Sequence, residues 1–269
     1  MTAGAGDSPA GRPAGRPADW DAGAYARVST PQRDWSAAVL DRLRLSGDET
    51  VIDAGCGSGE VTAALLDRLP DGRVIAVDGS PSMIARAGER LAPAIAAGRV
   101  ELLRRDLVEL DLDRAADRVF SNAVFHWVPD QPRLFRRLAA ALRPGGRLVA
   151  EYGGRGNVAA QEEAIARVAA EPRYREWLAG YRSPWTFAGP EETAEWLLAA
   201  GFERPECWLE ERTARPEDPR GFFEASFLAP IRERLPADLF PRFLEEALAA
   251  MGHPTGFEYI RLNIDARRA

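Results

Sequence analysis

Residues 51–62 read VIDAGCGSGEVT: two apolar residues, Asp53, then glycines at 55, 57 and 59. Glycines leaving a strand let the backbone approach a ligand before the chain enters a helix. Two further acids stand at matching places. Asp78 closes RVIAVD (73–78), and Asp106, followed by Leu107, closes VELLRRD (100–106). Each lies where a strand of an open parallel sheet would end, the edge at which such sheets bind ligands. A carboxylate after the second strand can accept from both hydroxyls of a ribose, and one after the third from an adenine amino group. The remaining chemical group is His126, in SNAVFHWVPD (121–130); the only other histidine, His253, sits in a Gly-His-Pro loop. An imidazole at that place can serve as a general base. It can equally pack and hydrogen-bond in a cleft wall.

Charge narrows the ligand. The dinucleotide fingerprint G-x-G-x-x-G requires glycine at position 60, which is Glu60 here. A helix N-terminus favours anions, so a pyrophosphate would sit there, yet Asp53 and Glu60 flank this turn and would repel it. They would accommodate a cation that carries no phosphate. S-adenosylmethionine, with its sulfonium and ammonium, is such a ligand. On its own the glycine run is also compatible with a plain strand-to-helix turn, and Asp78 with a helix-capping acid. Their combination at successive strand ends favours the ligand site.

The elements that must position these groups follow a regular rhythm. Short apolar runs at 51–53, 73–78, 100–106, 117–122 and 147–152 read as strands; 60–69, 81–91 (opened by Ser80) and 132–142 read as helices, the last ended by RPGG (143–146). Strands alternating with helices at this spacing predict a parallel sheet covered on both faces. Residues 19–45 place Trp35, Val39, Leu40 and Leu43 at helical spacing, with Pro31 as a start or break. After a loop at 153–157 the chain is mainly helical over 158–180, and a helix ends near Gly201. A strand at 206–212, helices over 217–251 and an alternating strand, FEYIRLNIDARR, close the chain.

Composition sets the outer bounds. The chain has 269 residues, 46% hydrophobic and 28% charged, enough for one large domain. Its net charge of -6 gives no reason to expect nucleic acid as a partner. All 35 basic residues are arginine, which excludes a P-loop lysine and any Schiff-base chemistry on lysine. Two histidines and two cysteines, Cys56 and Cys207, make neither a metal cluster nor a disulfide framework, so no metal is expected and a reducing cytoplasmic setting fits. No apolar run is long enough to span a membrane. Residues 1–18, rich in Gly, Ala, Pro and Arg, lack the hydrophobic segment of a secretory signal and read as a disordered tail.

In order along the chain, VIDAGCGSG, VIAVDGSPSMIARA, RRDL, FSNAVFHWVPD and LRPGGRLVAEY resemble the motifs of the class I S-adenosylmethionine-dependent methyltransferases. Within them the chain is most similar to the trans-aconitate 2-methyltransferase group, through DWDAGAY near the start, SNAVFHWVPD and the terminal FEYIRLNIDARR. It departs from that group at GGRGN (153–157) and SPWTFAGPEE (183–192), where the substrate is expected. The resemblance covers residues 19–268 and implies an α/β fold: a doubly wound, Rossmann-like seven-stranded sheet with an antiparallel last strand. The stretch 19–45 would be an N-terminal cap, and about 217–251 a helical lid inserted between the last two strands. Carried onto this sequence, it places Asp53, Gly55, Gly57 and Gly59 along the methionine half of S-adenosylmethionine. Asp78 would hold the ribose, with Ser80 and Met83 beside the adenine and Asp106 and Leu107 at its edge. The Asn122 backbone would approach the amino acid moiety, and Tyr25 and Arg33 would close over the cofactor.

The implied acceptor is a small molecule. A carboxylate needs no base, whereas a phenol or amine would gain from His126. Trp127, Tyr152, Trp185, Phe187, Phe223 and Phe227 are candidate walls of an acceptor pocket, or simply core of the lid. Arg155, Arg182 and Arg261 are candidates to clamp an acid, although most arginines of such a chain are solvated. Carboxylate O-methylation is the leading expectation. Secondary-metabolite O-, N- or C-methylation with His126 as base, a cofactor-binding domain without turnover, and an NAD-dependent reductase are the alternatives.

Overall fold

A computed structural model describes residues 30–269, with side chains from residue 35 onward. Tyr25 therefore lies outside the described residues, and so does the side chain of Arg33. The centre is a seven-stranded sheet in the order β3-β2-β1-β4-β5-β7-β6. Its strands are β1 Thr50–Ala54, β2 Arg73–Asp78, β3 Val100–Arg104, β4 Ala116–Asn122, β5 Leu142–Gly153, β6 Phe202–Ala214 and β7 Phe257–Arg268. The first five are parallel. β7 inserts antiparallel between β5 and β6, as a reversed closing hairpin requires.

Because the inner strands are buried on both faces, successive residues feed opposite layers. Val51, Val74 and Ala76 join Val39, Leu40, Leu65 and Ala87 on one side. These come from helices α1 Thr30–Arg42, α2 Glu60–Asp67 and α3 Pro81–Arg90. Ile52, Ile75 and Val77 join Leu134, Leu138 and Leu197 on the other, from α5 Gln131–Ala141 and α8 Pro190–Ala199. A short helix, α4 Ala92–Ala96, lies between α3 and β3. A third apolar cluster packs the remaining helices against one end of the β6–β7 hairpin. It is built by α6 Ala159–Ala169, α7 Pro172–Leu178, α9 Pro219–Phe227, α10 Ala229–Arg232 and α11 Phe240–Ala250, together with Trp35, Phe257 and Tyr259.

Two boundaries differ from the sequence expectation. β5 starts at Leu142 rather than Arg147: RPGG does not stop at the helix end but enters the sheet, with Leu142 paired to Ala116 across an irregularity and Gly145 at φ +78°. β6 runs thirteen residues because β7 pairs along its length, again with a register shift at Glu203–Glu206. No helix among the described residues is long and apolar enough to cross a membrane, and no described group of His, Cys, Asp or Glu could hold a metal ion.

Candidate active site

β1 is flanked by β2 on one side and β4 on the other, so the chain reverses its winding direction there. At that switch point the carboxyl ends of β1, β2 and β4 open into a cavity of about 700 Å³. Gly55, Gly57, Asp78, Met83, Asp106, Leu107 and Asn122 all line it.

The three glycines have different reasons to be glycine. Gly55, at φ +87°, turns the chain where its N–H donates to the Val77 carbonyl at 2.8 Å, and Val124 fills the space a side chain would need. Gly59 caps α2 in the left-handed region, packed against Leu91 and Ala87. Gly57 alone looks into open space: a Cβ there would meet only Met83 Sδ, at 4.0 Å. Gly59 does not line the cavity and neither does Asp53, which sits beneath the turn, its Oδ2 accepting a hydrogen bond from the Thr62 hydroxyl at 2.6 Å. Burial pushes Asp53 up to about 7, the Thr62 bond opposing and the Asp78 charge adding to it. Asp53 therefore backs the turn instead of lining the site.

Asp78 has a structural task besides facing the cavity. Its Oδ2 accepts from Gly57 N–H at 2.9 Å and its Oδ1 from Ser80 N–H at 2.8 Å. It thus ties the glycine turn to the start of α3. Ser80 caps that helix, accepting from Met83 N–H at 3.2 Å, and stays outside the cavity. Asp106 likewise caps the 3-10 turn Leu107–Glu109 through Val108 N–H. Asn122 ends β4, and its Oδ1 is buried with no hydrogen-bond partner among the described residues. Such an acceptor is costly unless a donor arrives. The next residue, Ala123, is held at φ +60° and also lines the cavity.

At the other end the cavity wall is His126, Trp127, Trp185, Phe187 and Phe227, with Tyr259 and Arg261. His126 lies in the 3-10 turn Phe125–Trp127, its ring 5.5 Å from Trp127 and 5.9 Å from Phe187. The segment carrying Trp185 and Phe187 is pinned to it. Thr186 N–H donates to the His126 carbonyl at 2.8 Å, and Gln131 Nε2 donates to the Phe125 and Thr186 carbonyls. His126 Nδ1 accepts from Gly153 N–H at 3.2 Å, which places the proton of the neutral ring on Nε2. Burial, then the positive charge of Arg261, hold this histidine well below its ordinary range.

Four expected acceptor residues are corrected. Tyr152 is fully buried and turned into the sheet core, where its hydroxyl reaches Gln131 Oε1 at 3.4 Å; burial pushes its phenol well above the ordinary range. Phe223 is fully buried against Phe227 and Phe257 in the helical cluster and does not reach the cavity. Arg155 points outward, paired with Glu192 at 2.8 Å. Arg182 is exposed. Tyr259 and Asn157 escaped the sequence reading. Only the β5–β7 pairing brings β7 to the cavity edge, and pairing is not written in local periodicity.

Residues 51–146 match the family model described as a methyltransferase domain. The trans-aconitate 2-methyltransferase of Methylobacterium nodulans is 32% identical over 239 residues, which is 87% of this chain and 89% of that protein. The chain belongs to the S-adenosylmethionine-dependent methyltransferases. Within them it stands with the trans-aconitate 2-methyltransferase-like group. Solved structures agree on the fold. The YcgJ protein of Bacillus subtilis superposes with a TM-score of 0.62 at 15% identity, over 88% of this chain and 98% of that one. Phosphoethanolamine N-methyltransferase 2 of Haemonchus contortus, in complex with S-adenosyl-L-methionine, gives 0.60 at 18% identity, over 92% and 57%.

The cofactor of this methyltransferase is S-adenosylmethionine, and the cavity suits it. Gly57 leaves the turn open, the cofactor end offers the acids Asp78 and Asp106, and the orphaned Asn122 Oδ1 wants a donor such as an ammonium. Asp78→Ala should accordingly weaken S-adenosylhomocysteine binding by roughly 1.5–3 kcal/mol, the scale of a hydrogen bond to a charged group. Titration calorimetry on both proteins measures this, and an unchanged affinity would remove Asp78 from the site.

Proposed function

We propose that this methyltransferase esterifies a carboxylate of a small molecule. When bound, S-adenosylmethionine supplies a methyl carbon to the attacking carboxylate oxygen, the C–S bond leaving its electron pair on sulfur. Asp78, Met83, Asp106 and Leu107 hold the nucleoside end, while Gly57 and Asn122 face the amino acid end. Trp127, Trp185 and Phe227 enclose the acceptor, and the helices of 217–251 cover it. The single observation that carries the reading is the His126 ring. With Nδ1 taken by Gly153 N–H, the nitrogen left for the acceptor bears a proton. It donates a hydrogen bond and has no lone pair with which to act as a base. An ionised carboxylate wants that donor and needs no base. The relatives' own name, a methyltransferase of a carboxylic acid, supports the same choice.

The test is the pH–rate profile of wild type and His126→Ala on an acid substrate. Because His126 is held well below 6.5, it stays neutral from pH 6 upward. The wild-type kcat should be flat from about pH 6 to 9, and the variant should lose less than about tenfold in kcat, with a raised KM. Loss of a true base would cost about 10²–10⁴-fold. A loss of that size, with a wild-type inflection near the histidine range that vanishes in the variant, would make His126 the base for a phenol or amine instead.

A further inference from the structure

The loop after β5 carries a polar side chain into the acceptor end of the cavity. β5 ends at Gly153, and the chain turns at once, Asn157 N–H donating to the Gly154 carbonyl at 2.9 Å. In an antiparallel ladder the two residues of a hydrogen-bonded pair exchange both N–H···O bonds. Here only one is made directly: Gly154 N–H donates to the Ile260 carbonyl at 2.9 Å, while the Gly154 carbonyl is taken by the turn. Ile260 N–H goes instead to Asn157 Oδ1, at 3.0 Å. The side chain thus stands in for the missing strand bond, and that bond settles which way the amide points. Flipped, the amide would set donor against donor and leave Ile260 N–H unanswered.

The consequence is a donor held in place. Asn157 is 4% exposed and lines the cavity, and its Nδ2 makes no hydrogen bond among the described residues. Unlike Asn122 Oδ1, Nδ2 is not a sealed orphan; it keeps access to the cavity. Gly153 makes room for it. A Cβ there would lie 2.6 Å from Asn157 Nδ2 and 2.7 Å from Phe187 Cε1. The same Gly153 donates its N–H to His126 Nδ1, so the Asn157 amide and the His126 ring meet at one residue, each with an N–H left to give. Tyr259 and Arg261, on either side of Ile260 in β7, line the cavity beside them.

We propose that Asn157 is an acceptor-binding residue, its Nδ2 amide donating to an oxygen of the acid alongside His126. The inference rests on the carboxylate reading and adds to it a side chain from 153–157, a stretch where the sequence departs from the trans-aconitate group. A hydrogen bond to an ionised acceptor is among the stronger ones. Because the acid is ionised before and during attack, the bond serves ground state and transition state alike, so its loss falls on KM more than on kcat.

The deciding variant is Asn157→Asp in the full-length protein. It keeps the shape and an oxygen for Ile260 N–H, so the ladder bond survives, but it replaces the donor with an anion. Trans-aconitate, citrate, fumarate and trans-cinnamate are titrated into wild type saturated with S-adenosylhomocysteine. The tightest binder is then measured on the variant, together with KM and kcat for transfer of labelled methyl; p-cresol and benzylamine are the neutral and basic acceptors. At about pH 8 the acid should bind at least tenfold more weakly, with KM raised to match, kcat within about threefold and S-adenosylhomocysteine affinity within about threefold. Facing carboxylates share a proton as the pH falls, so the loss relative to wild type should shrink by about pH 5. Gly153→Ala crowds the amide without adding charge; it should weaken the acid at least threefold, equally at every pH. If Asn157→Asp does not fold, this second variant decides on the same contrast between acid and S-adenosylhomocysteine. For an acid that binds without turnover, the binding contrast decides. An effect on the acid below threefold, a loss shared equally by S-adenosylhomocysteine, or an Asn157→Asp loss that ignores pH would overturn the assignment of Asn157 while carboxylate methylation stands. If wild type binds no acid, or methyl goes only to the phenol or amine, the carboxylate reading fails and the assignment with it.

Discussion

Gly55→Ala should destabilise the protein by roughly 2–6 kcal/mol, while Gly57→Ala, two residues away in the same motif, should cost about 1–2 kcal/mol and strike binding instead. A Cβ on Gly55 would lie 2.9 Å from Val124 Cβ and closer still to both its methyl groups. Val124 precedes the 3-10 turn that carries His126, so it cannot withdraw without moving that turn. Overpacking of this kind costs about 1–3 kcal/mol, and a non-glycine residue at φ +87° adds about 1–3 more. Gly57 has φ +53° and no neighbour nearer than 4.0 Å, so only the left-handed backbone penalty of about 1–2 kcal/mol remains. Its new methyl group would occupy cavity space, and S-adenosylhomocysteine affinity should fall tenfold or more, each decade being about 1.4 kcal/mol. Urea unfolding and calorimetry on both variants separate the two effects. Equal destabilisation by the two substitutions would contradict the assignment of Gly55 to packing and Gly57 to the ligand.

That contrast shows where the sequence stops being readable. GCGSG marks a turn, and the acids at the ends of β2 and β3 mark a sheet edge. Both are local signals, because buried parallel strands are short apolar runs bracketed by turn residues. Which glycine faces the cavity depends on Val124 and Leu91, which are distant along the chain. Asp53 looked equivalent to Asp78 by spacing, yet strand alternation turns it under the turn toward Thr62. Tyr152 departs from the sequence expectation for a related reason. β5 is buried on both faces, so alternation cannot say which face meets a substrate. The His126 tautomer is set by Gly153 N–H, 27 residues away, at the end of another strand. No periodicity encodes that contact.

Glu151→Ala should cost about 3–5 kcal/mol, because it removes one member of a buried ion pair and strands the other. The antiparallel register places Glu151 opposite Asn263, so Arg261 is its diagonal neighbour. Glu151 and Arg261 are 1% and 3% exposed, and Arg212 Nη2 approaches Glu151 from 3.7 Å. With the carboxylate gone, Arg261 would remain desolvated over the Trp35 ring, 5.6 Å from its centroid, without its ion-pair partner. The double variant Glu151→Leu/Arg261→Met should recover most of the loss, since an apolar pair of similar volume is often as stable as a buried ion pair. Chemical unfolding of the three proteins measures this, and a single-variant loss below about 1 kcal/mol would show that water reaches the pair.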